Sequence, residues 1–369
     1  MSIYEELGVT AYINANEWYT SSGGSMLAAP VIQAMIEASQ WTARTAELQD
    51  AAGRAIAQLT RNEAACVTSS ATAGIVLAVA ACMADLEVKK CEQLPNTSGL
   101  KRDIIVHHCD RFDEDVAIKI PGARIVEIGD QNGASEEDYE RAFSEQTAAV
   151  FAAPPRKGMI PLETIVRKAH ERGIAVILDV AWAVPPKEHL WKFTQDYDVD
   201  AIIVSGGKGL RGPQGSGLIL GRKALVQTCQ KMVAPHCRIG RPMKVGRETI
   251  AGIYAALKHF LNGGAEATQD MAEYIASEVA SIRGISISVD RAKSHVHIQF
   301  DSPQSTLQRD YVKNQLFQQD PRVLVRDSGS RGIRVSAGTL SEGQERVVAA
   351  QLRDVLIKMD NQRQNLGLC

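Results

Sequence analysis

No two cysteines in this chain stand at C-x-x-C spacing. Its seven cysteines (Cys66, Cys82, Cys91, Cys109, Cys229, Cys237 and Cys369) are scattered and odd in number. That pattern excludes a disulfide framework and a thiolate zinc site, and no metal site is read. An excess of charge of one sign is also missing: 41 Lys plus Arg face 43 Asp plus Glu, for a net charge of −2. A basic nucleic-acid-binding surface is therefore not expected. The longest apolar stretch, around Ala71 to Ala84, is broken by Thr72 and Gly74 and is too short to cross a bilayer. The opening residues, Met1-Ser2-Ile3-Tyr4-Glu5-Glu6, lack the basic and apolar regions of a signal peptide. No internal repeat or low-complexity tract occurs. What remains is the expectation of a cytoplasmic enzyme without membrane or nucleic-acid partners. Its 369 residues are enough for two or three structural units and a large core.

Short apolar runs alternate with amphipathic segments through the middle of the chain. The runs are Ala64–Val67, Asp103–His107, Ala123–Ile128, Ala148–Ala152, Ile174–Asp179, Ala201–Val204 and Gly217–Leu220. Their shortness and their Val, Ile and Ala content fit strands buried on both faces. Between them, Leu162 to Arg172 gathers Ile165, Val166 and Ala169 on one helical face, and Ser135 to Ser144 opens on three acids, Glu136, Glu137 and Asp138. Such alternation predicts an α/β fold with a mostly parallel sheet covered by helices. After Gly246 the pattern changes to two helices flanking Gly263-Gly264. Strand-like runs follow at Ile285–Val289, His295–Phe300 and Gly332–Val335, then a charged helix from Glu342 to Met359. The expected organisation is an N-terminal arm over 1–30, a large α/β domain over 31–247, and a connector helix with a smaller α+β domain over 248–369.

Two segments carry the chemistry. Ile174-Ala-Val-Ile-Leu-Asp179 is an apolar run ending in a carboxylate, and Asp200-Ala-Ile-Ile-Val-Ser205-Gly-Gly-Lys208 is one ending in small residues and a lysine. In parallel α/β sheets, ligands bind beyond the carboxyl ends of the strands, so both groups would enter one cleft. An acid and a lysine so placed suit pyridoxal 5'-phosphate: the lysine forms the Schiff base and the carboxylate keeps the pyridine nitrogen protonated. A surface lysine and a capping aspartate are the plain alternative. A third segment, Cys66-Val-Thr-Ser69-Ser70-Ala71-Thr72-Ala-Gly74, leads from a strand into hydroxyl residues and a helix. It offers either a phosphate seat or an ordinary helix cap.

Together these segments resemble fold-type-I pyridoxal-phosphate enzymes, in the branch containing bacterial selenocysteine synthase and D-glucosaminate-6-phosphate ammonia-lyase. The resemblance covers nearly the whole chain. Besides the segments above it is carried by Ile13-Asn14-Ala15, by Ser205-Gly-Gly-Lys208-Gly-Leu-Arg-Gly-Pro213-Gln-Gly-Ser-Gly217 and by Ile239-Gly-Arg-Pro-Met-Lys-Val-Gly-Arg-Glu248. It implies that Lys208 is the Schiff-base lysine and Asp179 the pyridinium partner, with Ser69, Ser70, Thr72 and Ser205 on the phosphate. It also implies a residue lying over the cofactor ring, assigned to His108 with His107 as its rival. Arg334 becomes the grip for the substrate carboxylate, with Arg331 and Arg326 as rivals, a role that suits a planar guanidinium. The basic run His236, Arg238, Arg241, Lys244 and Arg247 is either a solvated loop or an anion site, with Arg241 a candidate substrate contact. A homodimer or higher homo-oligomer is implied in the same way.

Selenocysteine synthase carries an additional N-terminal tRNA-binding region, whereas this chain begins almost directly with the catalytic core. The lyase branch is therefore the better fit. The expected reaction is α,β-elimination from a 2-amino-3-hydroxy acid, such as an amino sugar acid or its phosphate, giving a 2-oxo-3-deoxy acid and ammonia. Aldol cleavage, racemisation and transamination begin from the same cofactor adduct and remain alternatives, as does a catalytically silent, ligand-binding relative.

Overall fold

In a computed structural model, which describes residues 2–301 and 305–365, the chain forms two compact units. One spans Ala29–Lys258, and the other combines the residues up to Ala28 with those from His259 onward. Twelve strands occur among the described residues: β1 (Tyr12–Ala15), β2 (Ala64–Thr68), β3 (Asp103–His107), β4 (Arg124–Ile128), β5 (Thr147–Ala152), β6 (Ala175–Asp179), β7 (Ala201–Ser205), β8 (Gly217–Gly221), β9 (Ile285–Asp290), β10 (His295–Phe300), β11 (Arg322–Asp327) and β12 (Gly332–Ser336).

The unit spanning 29–258 is built on the seven short apolar runs. They form one sheet in the order β2-β8-β7-β6-β5-β3-β4. All neighbours are parallel except β8, which is antiparallel to both β7 and β2. The reversal follows from chain length, because the link from Ser205 to Gly217 is too short to carry a crossover helix. The carboxyl ends of β2, β3, β5, β6 and β7 consequently share one edge of the sheet. Helix Ala71–Met83 lies against it, and every residue from Ala73 to Met83 is buried. This explains the apolar run that follows Thr72: a helix covered on all sides has no polar stripe to display.

The other unit holds a five-stranded sheet in the order β1-β11-β12-β10-β9, in which β1 and β11 are parallel and the remaining pairs antiparallel. Val296, Ile298, Val323, Val325, Ile333 and Val335 from one face join Ala272, Ile275, Val312, Leu316, Val348 and Leu352 of three helices (Ala265–Val279, Ser305–Gln318 and Gln344–Asn365) in a single core. The strand of the N-terminal arm is thus part of this sheet, with Ile13 and Ala15 in its core. No helix among the described residues is long and apolar enough to cross a membrane.

Candidate active site

The edge where the parallel strands end carries most of the chemistry-bearing residues. Ser69 and Ser70 follow β2, His107 closes β3, Asp179 closes β6, and Ser205 closes β7 three residues before Lys208. The first residue of β8, Gly217, is in register with Thr68 on one side and Ser205 on the other. A Cβ at Gly217 would stand 2.5 Å from the carbonyl carbon of Ser70 and 2.6 Å from the nitrogen of Ala71. Only glycine lets the start of β8 approach the helix start this closely.

Lys208 lies on a tight loop. The Gly206 N–H donates to the Ser216 carbonyl at 2.9 Å, and the Arg211 N–H, at a φ of 54°, donates to the Lys208 carbonyl at 2.9 Å. Gly209 packs on the segment after β6, where a Cβ would meet the Val184 carbonyl at 2.1 Å. These contacts hold the lysine loop against the aspartate loop. The Lys208 Nζ sits 3.8 Å from the centre of the Trp182 ring, a cation–π distance. Arg211 is buried beside it, and burial lowers its pKa.

Asp179 accepts the Ala181 N–H at 2.8 Å. Burial pushes its carboxyl above the ordinary range, opposed by the Ala181 N–H and the charge of Lys208 and reinforced by Glu114. Glu114 is an exposed acid that sequence reasoning passed over, since a lone carboxylate in a short helical turn has no signature.

Ser70 caps helix Ala71–Met83. Its Oγ accepts the Ala73 N–H at 2.9 Å. Residues 69–72 are half-buried, whereas the rest of the helix is enclosed, so the positive end of the helix dipole is its accessible part. The two adjacent histidines diverge. His107 is buried, with Nδ1 3.1 Å from Asp110 and Nε2 2.7 Å from the Tyr139 hydroxyl. The side chain of His108 is 52% exposed and pairs with Glu127 of β4 at 2.7 Å. His107, Cys109 and Asp110 are close enough to share a metal ion, but both ring nitrogens of His107 already have partners. The cluster is better described as a hydrogen-bonded clasp for the end of β3.

Arg334 belongs to the other unit. It lies on β12, forms an ion pair with the buried carboxylate of Glu17, and is opposite Arg326 in register. Arg331 is exposed just before the strand. Arg241 opens a short helical turn, Arg241–Met243, and is exposed, while its neighbours Arg238 and Arg247 are tied to Glu92 and to the carbonyls of Ala38 and Ser39.

Residues 19–315 match the aminotransferase class-V family. The chain belongs to that family. It is 28% identical to D-glucosaminate-6-phosphate ammonia lyase of Salmonella typhimurium, over 96% of this chain and 98% of the relative. It is 33% identical to 5'-C-glycyluridine monooxygenase-decarboxylase of a Streptomyces species, over 70% of this chain and 65% of the relative. Similarity to L-seryl-tRNA(Sec) selenium transferase of Serratia proteamaculans is 27% over 65% of this chain and 54% of the relative. A solved D-glucosaminate-6-phosphate ammonia-lyase superposes with a TM-score of 0.81 at 27% identity, covering 97% of this chain and 99% of that one. This class-V chain has the fold-type-I architecture and is a pyridoxal-phosphate-dependent enzyme. The residues present fit the cofactor: a glycine-lined cradle at Gly217, an accessible helix start, a desolvated carboxylate and a lysine meet at one sheet edge.

Proposed function

We propose that this class-V enzyme is an ammonia-lyase acting on a 2-amino-3-hydroxy acid, with an amino sugar acid or its phosphate as the preferred class. The carrying observation is the end-to-end similarity to the ammonia-lyase, in sequence and in fold, combined with Asp179 and Lys208 on one sheet edge. When bound, pyridoxal phosphate supplies an electron sink that makes the Cα proton of an amine acidic.

The chain's own residues then divide the work. Ser69, Ser70 and Thr72 hold the phosphate at the helix N-terminus, where free N–H groups and the dipole favour an anion, and Ser205 approaches from the lysine strand. Asp179, already desolvated, gains a cationic partner in the protonated pyridine nitrogen and holds that proton in place. Lys208 holds the cofactor at rest. Its amine, when not bound to the cofactor, would take the Cα proton, with Trp182 limiting where Nζ can go. Arg334 binds the substrate carboxylate and Arg241 a second anionic group. His108 is assigned to the cofactor ring, its imidazole steadied by Glu127. The Cα–H and Cβ–OH bonds break and water leaves. Water then re-enters to release ammonia, so the net change is substrate to 2-oxo-3-deoxy acid plus NH3.

A homo-oligomer completes the proposal. Ile32, Ile36 and Trp41 are exposed on and just beyond helix Ala29–Ser39, an apolar surface suited to a second copy. The six described cysteines are free, in keeping with a reducing, cytoplasmic setting. The test is an assay of the purified protein on D-glucosaminate 6-phosphate and a panel of hydroxy-amino acids. Equimolar ammonia and 2-oxo acid support the lyase. An aldehyde product, or an amino-group transfer that needs an oxo-acid acceptor, overturns it in favour of aldolase or aminotransferase chemistry.

A further inference from the structure

The polar face of the five-stranded sheet carries a row of basic groups. His297 of β10, Arg334 of β12 and Arg326 of β11 are register partners, so their side chains share one face, opposite the apolar core. Two arginines side by side repel unless an anion or another acceptor sits over them. The segment after β1 does this for both. Glu17 pairs with Arg334, and the Tyr19 ring lies 4.8 Å from the Arg326 guanidinium carbon while its hydroxyl accepts from Arg326.

That segment is firmly held. The Asn14 side chain donates to the carbonyls of Glu17 at 3.1 Å and Gly24 at 2.9 Å and accepts the Asn16 N–H at 3.0 Å. The Asn16 amide donates to Ser22 at 2.9 Å. Glu17 is thereby delivered into a buried position, with its other oxygen 3.2 Å from the Trp18 N–H. Its hold on Arg334 is at one point: the contact is to Nη2, and the buried Nε has no partner. A carboxylate presenting both oxygens to a guanidinium makes a stronger, two-bond contact.

We propose that Glu17 is an internal competitor for the carboxylate site of Arg334, a specificity-determining residue that an incoming carboxylate must displace to make the bidentate pair. This rests on the assignment of Arg334 to the substrate carboxylate. It means that weak, singly bonded anions fail to displace Glu17, whereas a substrate anchored elsewhere by its amine and distal groups succeeds.

Arginine-specific labelling of the holoenzyme with phenylglyoxal, read at Arg334 by peptide mass spectrometry, tests this without turnover. Glu17→Gln should label at Arg334 several-fold faster than the unmodified protein, with Arg322 labelling unchanged, and acetate should protect at about one-tenth the concentration. Should Glu17→Gln fail to fold, Glu17→Asp, which withdraws the carboxylate by one methylene, must show the same rise. An unchanged Arg334 rate in the variants, or weaker protection by acetate, overturns the competitor role. Arg334→Met separates the two readings. If it leaves KM unchanged while the labelling behaves as expected, the contact stands and the substrate assignment of Arg334 fails.

Discussion

The Nζ of Lys208 lies 3.8 Å from the centre of the Trp182 ring, so the loops that follow β6 and β7 meet through a charge and an aromatic face. Because Trp182 is three residues beyond Asp179, this contact fixes the lysine relative to the acid. Replacing Trp182 by leucine removes a cation–π contact of about 0.5–2 kcal/mol. The expected result is a loss of kcat of roughly 2–30-fold with cofactor content unchanged. Steady-state kinetics beside the absorbance spectrum checks both parts.

Asp179 should behave differently with and without cofactor. Its carboxyl is raised by burial, so the folded chain without cofactor binds a proton that the unfolded chain has released. Stability of the cofactor-free protein therefore falls as pH rises from the ordinary carboxylate range through the raised value. Asp179→Asn removes that slope and leaves the cofactor-free protein at least as stable at neutral pH. Its activity falls by about 10²–10³-fold, since a preorganised charge is lost where the reaction needs it. Thermal unfolding across pH, with and without pyridoxal phosphate, separates the two effects.

His295 shows the opposite sign. Burial, first, and the charge of Arg334, second, lower its pKa to about 3, with His297 and Lys293 acting in the same direction and Asp290 against it. Glu17 lies 3.8 Å from its Nε2. The unfolded chain takes up this proton near pH 6.5 and the folded chain does not, so stability is lost as pH falls from 6.5 toward 3. His295→Gln should flatten the acid limb in that window, as measured by urea midpoints at successive pH values.

Gly217→Ala tests the packing of β8, the neighbour of β7, against the helix start. Its Cβ would meet the backbone of Ser70 and Ala71 at 2.5 to 2.6 Å, which rigid main chain cannot relieve by a rotamer change. Overpacking of this kind costs about 1–3 kcal/mol. The expected outcome is a lower midpoint of unfolding and a cofactor dissociation constant raised at least tenfold, because the displaced group is the proposed phosphate seat.

The large sheet was legible because most of its strands are short apolar runs buried on both sides; the edge strand β4, with Arg124 and Glu127 exposed, is the exception. The parallel order follows from the helices between them. Strands β1 and β11 were not legible. Tyr12–Ala15 is only four residues long, and its partner, Arg322–Asp327, is some 300 positions away, a distance at which no local pattern reports pairing. Lys208 and Asp179 could be found because strand ends followed by charged or small residues have a period and a punctuation. Glu17 could not: a single acid in an irregular segment acquires meaning only once the fold sets it against Arg334. His107 and His108 were indistinguishable as letters, and only burial separates them, one clasped between Asp110 and Tyr139 and the other open beside Glu127.

The central claim is that Lys208 carries the cofactor. Borohydride reduction of the pyridoxal-phosphate-loaded protein, followed by proteolysis and mass spectrometry, reads this directly. A reduced pyridoxyl adduct on the peptide containing Lys208, absent from Lys208→Ala together with its visible absorbance, is the expected result. An adduct on a different lysine, or a colourless protein with none at all, contradicts the account.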